Sequence, residues 1–224
     1  MTLHGDALVR DLERRFVVVN DDVRCGRQEI NILRPRSADD LISEADFERD
    51  ERLPYWAELW PSSTVLGAYV LETTLEPRRT IELGCGVGLV SIAAALAGHR
   101  ILATDYYEEA LNFVRANSYR NLGHELDTKA LDWRAIPRTM GRFDLVLASD
   151  VLYESRYAML VAETIDRVLT PGGEALVADP GRVAAEEFID ACATLGLRVV
   201  PRATRPYLAG KVRQTITVYG IVRV

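Results

Sequence analysis

The sequence predicts an α/β protein whose sheet is mostly parallel and carries helices on both faces. Three observations lead to this class. From about residue 80 onward, short β-rich runs alternate with longer helical ones, which is the pattern of βαβ units. The β-rich runs are continuously apolar, as strands buried on both faces are. Near the C-terminus the alternation stops, and two β-rich segments joined by a loop predict an antiparallel hairpin at one edge of the sheet.

Each element of this half follows from a local signal. The helix predicted over residues 88–98 is apolar and ends on Gly98, a typical helix stop. The next helix, over 107–121, has apolar residues at helical spacing. A third helix, over 157–169, is followed by the turn sequence TPGG, and a fourth spans 183–196. The predicted strands are residues 80–83, 100–105, 125–133, 143–149, 174–179, 197–203 and 213–224.

The segment before this half is different in character. Residues 1–52 are predicted to form an N-terminal extension, in which RFVVV and QEINIL make a small hairpin and SADDLISEADFERDE an acidic helix or loop. The stretch LPYWAELWPSSTVLGAYVLE then predicts a helix that begins at Pro61, because proline is favoured in a first helical turn. We expect this helix to pack beside the sheet and the hairpin to lie over the site. Residues 53–224 are the main domain.

Composition excludes several classes of protein. A formal charge of −6 over 224 residues disfavours general binding of nucleic acid. The three cysteines are too few and scattered for a disulfide framework, and neither they nor the three histidines have metal-ligand spacing. No apolar run reaches the roughly 18 residues of a membrane span, and MTLHGDALVR does not resemble a signal peptide. We therefore expect a soluble cytoplasmic protein without metal, membrane or nucleic-acid partners, monomeric by default.

A glycine-rich loop follows the first strand of the alternating half. ELGCGVG places Gly84, Gly86 and Gly88 between a strand and a helix. Glycines let the backbone approach a ligand, and a helix start offers free N–H groups to an anion. A dinucleotide fingerprint, G-x-G-x-x-G, would require glycine at position 89, where the sequence has leucine. The third glycine therefore comes one residue early.

Acidic residues follow the next two strands. Asp105 lies 21 residues after Gly84, where a carboxylate grips ribose hydroxyls in nucleotide-binding folds; the alternative is a cap for the helix that begins near Tyr107. Asp132 and Trp133 follow the third strand. As a pair they offer an acceptor for an exocyclic amine and a ring for a purine face. Either residue alone would more often be a turn acid or a core aromatic.

The stretch DLVLASDVLYES ends the fourth strand of this half with Asp150 and, three residues later, Tyr153. Asp150 could cap the helix that starts near Ser155, and Tyr153 could simply pack. A substrate site is favoured by their place, since ligands gather at the carboxyl ends of strands near a switch point. Trp56 and Trp60 have the same two interpretations, core aromatics or site walls.

Taken together, these features resemble the class I, seven-stranded S-adenosylmethionine-dependent methyltransferases, whose sheet is Rossmann-like. The resemblance runs from about Leu53 to the C-terminus and implies S-adenosylmethionine as cofactor, with S-adenosylhomocysteine as product. That cofactor has a carboxylate and no pyrophosphate, which suits the shorter loop. The residues that the resemblance assigns to cofactor binding are Glu82, Gly84, Cys85, Gly86, Gly88, Asp105, Tyr106, Asp132 and Trp133. Ser149, at the end of the fourth strand, is a further candidate cofactor neighbour. Trp60 joins them through a narrower group of these enzymes, in which a matching tryptophan reaches the cofactor.

Two further stretches resemble the lysine methyltransferase-like group known as family 16. These are PYWAELWPSS and the D-x-x-Y sequence of Asp150 and Tyr153, while ADPGR (178–182) is most similar to the branch that modifies the electron-transfer flavoprotein β subunit. The resemblance implies Asp150 and Tyr153 as catalytic contacts of the attacking nitrogen and a lysine-bearing protein as substrate. The nearest alternative is a small-molecule methyltransferase acting on a pyridine or amine nitrogen, as in nicotinamide N-methyltransferase-like relatives. A non-catalytic S-adenosylmethionine-binding module is a third, which has no need of the D-x-x-Y sequence.

The expected chemistry demands little beyond positioning. Methyl transfer is an in-line displacement, so orientation and desolvation carry most of the rate. A lysine amine has an ordinary pKa of about 10.4 and must lose its proton before it attacks. We expect Asp150 to attract the ammonium and then direct the lone pair of the amine, and Tyr153 to supply a ring face or hydroxyl. Since no histidine is near this motif, water is the expected proton acceptor.

Overall fold

The computed structural model describes residues 3–41, 53–73 and 76–224. Its helices are α1 (Gly5–Arg15), α2 (Pro61–Glu72), α3 (Leu89–Leu96), α4 (Glu108–Leu122), α5 (Ser155–Val168) and α6 (Ala185–Thr194). Its strands are β1 (Val18–Cys25), β2 (Gln28–Pro35), β3 (Arg79–Leu83), β4 (Arg100–Asp105), β5 (Asp127–Ala130), β6 (Phe143–Ser149), β7 (Leu169–Asp179), β8 (Leu197–Ala209) and β9 (Val212–Arg223).

Seven of these strands form one sheet, in the order β5-β4-β3-β6-β7-β9-β8. The first five pair in parallel, and β9 is antiparallel to both β7 and β8. The predicted fold class, a parallel α/β sheet with an antiparallel C-terminal hairpin, is therefore confirmed. The chain fills one half of the sheet from β3 to β5 and then crosses back to β6 beside β3, which makes the carboxyl ends of β3 and β6 the switch point where ligands gather.

The alternation of side chains along β6 explains why helices cover both faces of the sheet. Leu145 and Leu147 pack with apolar residues of α2 and α3. Val146 and Ala148 pack with those of α5 and α6 on the opposite face. Successive residues of a strand point to opposite faces, and all four of these side chains are fully buried. A continuous apolar run is thus what a doubly covered strand requires.

Several predicted boundaries in the main domain differ from the observed ones; β8, for example, runs to Ala209, beyond the predicted residue 203. The TPGG sequence lies inside β7 as an irregularity, since the register steps from Phe143 opposite Leu169 to Leu145 opposite Glu174. The third predicted strand is shorter than expected and is confined to β5. A short 3₁₀ turn follows it over Trp133–Ala135.

The N-terminal residues form more structure than the sequence suggested. The hairpin of β1 and β2 is present, but α1 was not predicted; it is amphipathic and buries Leu8 and Leu12. The hairpin is bound to α4 by asparagines that imitate a neighbouring strand. Asn117 Oδ1 accepts the amide of Leu33 and its Nδ2 donates to the Leu33 carbonyl, both at 2.8 Å. Of the predicted acidic segment, residues 42–51 lie outside the described residues.

Candidate active site

A cavity of about 440 Å³ opens at the carboxyl ends of β3, β4 and β6. One wall of the cavity is formed at the ends of these strands by Gly84, Asp105 and Ser149. The segment before α2 forms another wall. The predicted site residues lie along the cavity, except Glu82 and Gly88. Among its described lining residues none comes from β1 or β2, so the expectation that the N-terminal hairpin lies over the site is wrong. The hairpin is held by α4 instead.

The glycine loop is shaped by close approach as much as by backbone torsion. Gly86 has φ +51°, and a Cβ there would come within 3.0 Å of the Trp56 carbonyl oxygen. Gly88 has φ +93° and precedes α3, but a Cβ on it would meet Val114 rather than the cavity. Gly86 therefore lets the loop pass close to the Trp56 backbone, and Gly88 allows α3 and α4 to pack closely.

Asp105 connects the loop after β3 to the start of α4. Its Oδ2 accepts the amide of Gly86 at 2.9 Å and its Oδ1 accepts that of Tyr107 at 3.1 Å. The side chain is buried, and burial raises the pKa of its carboxyl above the ordinary value. The N-cap of α4 is Tyr107 itself, so Asp105 fastens the junction and still presents its carboxylate to the cavity.

Glu82 lies beneath the loop, away from the cavity surface. It is 1% exposed and accepts a hydrogen bond from the hydroxyl of Ser91 on α3. Burial raises the pKa of the Glu82 carboxyl to about 8, and the nearby Asp105 charge adds to the rise. A carboxyl in this position supports the loop from beneath. Its ionised form is disfavoured by burial.

The far side of the cavity is an aromatic wall. Its ring centroids are separated by 5.9 Å for Tyr55 and Trp60, 5.3 Å for Tyr55 and Tyr153, and 4.9 Å for Tyr153 and Tyr157. Trp60 is fixed by its indole N–H, which donates to the Tyr55 carbonyl at 3.0 Å. Burial raises the pKa of the Tyr153 phenol, with Tyr157 adding to it, so the phenol stays protonated at neutral pH. A continuous set of ring faces suits an organic cation.

The other predicted aromatics divide between wall and core. Trp133 lines the cavity and packs edge-to-face on Tyr157, with centroids 5.8 Å apart. Trp56 also reaches the cavity, but its ring packs on Phe113 at 5.7 Å and the side chain is mostly buried. Trp56 therefore combines the two predicted interpretations, core aromatic and site wall.

Asp132 and Tyr106 lie near the glycine loop, at the exposed side of the cavity. Asp132 accepts the Arg134 amide at 3.0 Å and is ion-paired with the Arg134 guanidinium at 2.8 Å. The same guanidinium stands 5.9 Å from the centre of the Tyr106 ring, which is 40% exposed. This side of the cavity thus carries an acid and a ring beside one arginine.

Asp150 has the most constrained backbone of the site. Its φ of +58° makes it the one non-glycine residue with positive φ in the described part of the chain, a conformation that costs about 1–3 kcal/mol and clusters at functional sites. The N-cap of α5 is Glu154, so the interpretation of Asp150 as the cap of that helix is wrong. Its carboxylate accepts Ser62 Oγ at 2.8 Å and Arg182 Nε at 2.7 Å.

Several residues of the site had no predicted role. Ser62 and Arg182 bind Asp150, while Tyr55 and Tyr157 extend the aromatic wall. The sequence ADPGR drew attention to Arg182 as part of a motif without indicating its partner. Ser62 carries no local signal, since it lies 88 residues from Asp150. Within the described ranges, no group of three or more His, Cys, Asp and Glu side chains is placed to hold a metal ion, and no helix has the length and apolar character to cross a bilayer.

Sequence comparison places a known family on most of this structure. A family model described as "Lysine methyltransferase" matches residues 45–193. Protein-lysine methyltransferase METTL21E of Mus musculus is 36% identical over 127 residues, which are 51% of this chain and 52% of that protein. The electron transfer flavoprotein beta subunit lysine methyltransferase of Xenopus laevis is 33% identical over 136 residues, 58% of this chain and 53% of that protein. The chain thus spans about half the length of these curated relatives.

Comparison with solved structures identifies methyltransferases whose fold is similar to that of this chain. The magnesium protoporphyrin IX methyltransferase from Synechocystis PCC 6803, crystallised with bound SAM, aligns with a TM-score of 0.59 at 16% identity. The alignment covers 83% of this chain and 94% of that one. At such low identity the likeness shows the fold of class I methyltransferases.

Proposed function

This chain belongs to the lysine methyltransferase family, and we propose on that premise that it transfers a methyl group from S-adenosylmethionine to a lysine side chain of a protein. The observation that carries the proposal is the composition of one cavity. A glycine loop braced by Asp105 stands at one side, and a strained Asp150 beside the aromatic wall stands at the other. The first side suits a nucleoside and the second an amine.

The residues around the glycine loop fit S-adenosylmethionine. A Cβ on Gly84 would approach Val151 and the Trp133 ring, which also line the cavity, to 3.2 and 3.5 Å, so glycine leaves that part of the cavity free. Asp105 offers carboxylate oxygens for ribose hydroxyls, and Asp132 with Trp133 offers an acceptor and a ring for adenine. We assign Trp60, Gly84, Cys85, Tyr106 and Ser149 to the same set, because they line the cavity too. Glu82 and Gly88 support the loop but do not line the cavity. When bound, the cofactor would supply a methyl group on a positively charged sulfur; the lone pair of an amine would take the methyl group as the carbon–sulfur bond breaks, with S-adenosylhomocysteine as the leaving group.

Asp150 and Tyr153 are the residues that we expect to touch the acceptor nitrogen. A carboxylate has about four acceptor positions, and Ser62 and Arg182 each use one on Asp150, which leaves capacity for an amine. Tyr153 keeps its proton and therefore acts through its ring face or its hydroxyl, not as a base. The aromatic wall excludes water around the bound amine. The proton that the ammonium loses passes to bulk water.

The finer expectations about the protein also stay proposals. We propose that it works in the cytoplasm, as a monomer and without nucleic-acid partners, and that residues 53–224 are its methyltransferase domain. The net charge of −6 supports the absence of a nucleic-acid partner. Size-exclusion chromatography with light scattering measures the oligomeric state directly.

The proposal is tested with the methyl donor and an unfractionated acceptor mixture. The purified protein is incubated with S-adenosylmethionine radiolabelled in the methyl group and a cell lysate, and products are separated by size. We expect label in a protein band, with the methyl group mapped to lysine by mass spectrometry. Label confined to small molecules would replace this proposal by the small-molecule alternative, and no transfer to either fraction would favour the non-catalytic module.

A further inference from the structure

Asp150 already has a cationic partner inside the cavity. Arg182 Nε donates to Asp150 Oδ1 at 2.7 Å, and the guanidinium carbon lies 5.3 Å from the centre of the Trp60 ring. The Asp150 side chain is 2% exposed and that of Arg182 30%. The carboxylate is thus mostly buried and paired with an arginine, and both residues line the cavity. An incoming ammonium would meet an ion pair rather than a bare acid.

The fold fixes this arginine by its backbone. Asp179, at the end of β7, accepts the amides of Gly181 and Arg182 on Oδ1, each at 2.7 Å. The amide of Asp150 in turn donates to the Ala178 carbonyl at 3.0 Å, so the two loops that carry the ion pair are joined through β7. The position of Arg182 is therefore part of the architecture of the site.

Other charged and titratable groups surround the pair. Asp179 is a second acid close to the pair: burial raises the pKa of its carboxyl, the nearby Asp150 adds to the rise, and Arg182 opposes it. Of the arginines that line the cavity in the described ranges, Arg134 is paired with Asp132 near the glycine loop. The other titratable residues that line the cavity are the acids Glu58, Asp105 and Glu154, the thiol Cys85, and the tyrosines Tyr55, Tyr106, Tyr107, Tyr153 and Tyr157. Arg182 is accordingly the cation that offsets Asp150.

The chemistry gives this offset a consequence. Only the uncharged amine has the lone pair that methyl transfer uses, whereas a lone buried carboxylate stabilises the ammonium. Tighter binding of the unreactive form would stabilise the ground state and slow the reaction. A carboxylate whose charge is balanced by a guanidinium can still accept an N–H hydrogen bond, but it holds a second cation less strongly.

We propose that Arg182 is a positioning residue: by orienting and neutralising Asp150, it makes the acceptor pocket favour the free amine over the ammonium. The ammonium releases one proton to water and keeps the electron pair on nitrogen. This inference rests on the proposed function of the site, but it concerns which protonation state the pocket prefers. That preference can be measured without turnover.

The first test measures binding of n-pentylammonium, a probe of the length of a lysine side chain. Affinity is followed by ligand-observed NMR near neutral pH, in the presence of S-adenosylhomocysteine. We expect Arg182→Gln to bind the probe about tenfold more tightly than the wild type and Arg182→Lys to resemble the wild type. Arg205→Gln is the matched control, because Arg205 is also ion-paired, with Glu72 at 2.6 Å, and lies against the Tyr69 ring. Unchanged affinity in Arg182→Gln would overturn the inference.

A second pair of variants avoids leaving a buried carboxylate without its partner. Asp150→Asn keeps the Arg182 charge alone, and Asp150→Asn combined with Arg182→Gln removes both charges. We expect the double variant to bind n-pentylammonium about tenfold more tightly than the single one, since the single variant repels a cation. Equal affinities would contradict the proposal even if Arg182→Gln itself fails to fold.

The pH profile of methyl transfer separates this role from a merely structural one. In Arg182→Gln the rising limb of the rate, followed on the labelled protein band, should move up by about one pH unit, because the bound amine holds its proton more tightly. If Arg182 only blocks the pocket, the variant would be faster at every pH with the profile unmoved, and the inference would be wrong. Failure of the wild type to label any protein would refute the proposed function alone, since the probe-binding comparison still decides the role of Arg182.

Discussion

Two carboxylates that line the cavity, Asp105 and Asp150, are held in opposite ways. Asp105 is bound by backbone amides of its own loop and of the loop after β3. Asp150 is bound by the side chains of Ser62 and Arg182, which come from α2 and the loop after β7. The first acid belongs to a nearly local motif, and the second is assembled by the tertiary fold. The cofactor side should therefore tolerate change in distant elements, and the acceptor side should not.

The largest expected effect is on the acceptor side. Asp150→Ala should lower the rate of methyl transfer by at least about a hundredfold, since the amine loses the group that positions it. Affinity for S-adenosylhomocysteine, measured by calorimetry, should stay within a few-fold. Asp144→Ala is the matched control, because Asp144 lies near the other end of β6 and is exposed. Normal turnover in Asp150→Ala would remove Asp150 from the substrate site.

The corresponding change on the cofactor side should have the reverse signature. Asp105→Ala should weaken S-adenosylhomocysteine binding by about ten- to a hundredfold, the loss of hydrogen bonds to a charged group. Calorimetry measures this directly, with Asp127→Ala, exposed at the start of β5, as control. An unchanged dissociation constant would show that Asp105 does not hold the ribose.

Beneath the cofactor side, Glu82 predicts how stability depends on pH. Folding raises its pKa from 4.5 to about 8, so the folded state binds the proton more tightly than the unfolded chain. The free energy of unfolding should therefore decline as pH rises across that window and remain lower above it. Glu82→Gln lacks this decline, so it should match the wild type at about pH 5 and be the more stable protein at about pH 9.

Denaturant unfolding at the two pH values checks the Glu82 prediction. Glu163→Gln, which changes an exposed acid on α5, should keep the pH dependence of the wild type. Parallel curves for Glu82→Gln and the wild type would mean that Glu82 titrates normally in the folded protein.

The smallest expected effect concerns the hydrogen bond that Ser62 donates to Asp150. Ser62→Ala removes one of the two side-chain hydrogen bonds to Asp150, and we expect a loss of about tenfold in kcat with cofactor affinity unchanged. The control is Ser63→Ala, whose hydroxyl donates to the Trp60 carbonyl at 2.7 Å. A loss of cofactor affinity in Ser62→Ala would show that the two sides of the cavity are coupled through α2.

Much of the fold was predictable because its signals are local. The apolar strands, the start of α2 at Pro61 and the glycine loop each depend on a few consecutive residues. The helix α1 was missed although Leu8 and Leu12 have helical spacing, because two apolar positions in a charged segment are a small signal. The register irregularity in β7 depends on β6, which no local pattern of TPGG reveals.

Local sequence patterns were enough to identify the candidate functional residues: the acid that ends β4, the acid that follows β6, the glycines after β3, and the aromatic residues before α2. The environment of these residues depends on how distant elements pack. Glu82 became a buried acid because α3 covers it, and the N-terminal hairpin went to α4 because Asn117 offers it strand-like hydrogen bonds. Arg182 meets Asp150 from 32 residues away. The sequence shows which residues carry the two charges of this ion pair. The distance between the charges and their burial depend on how the strands pack in the sheet.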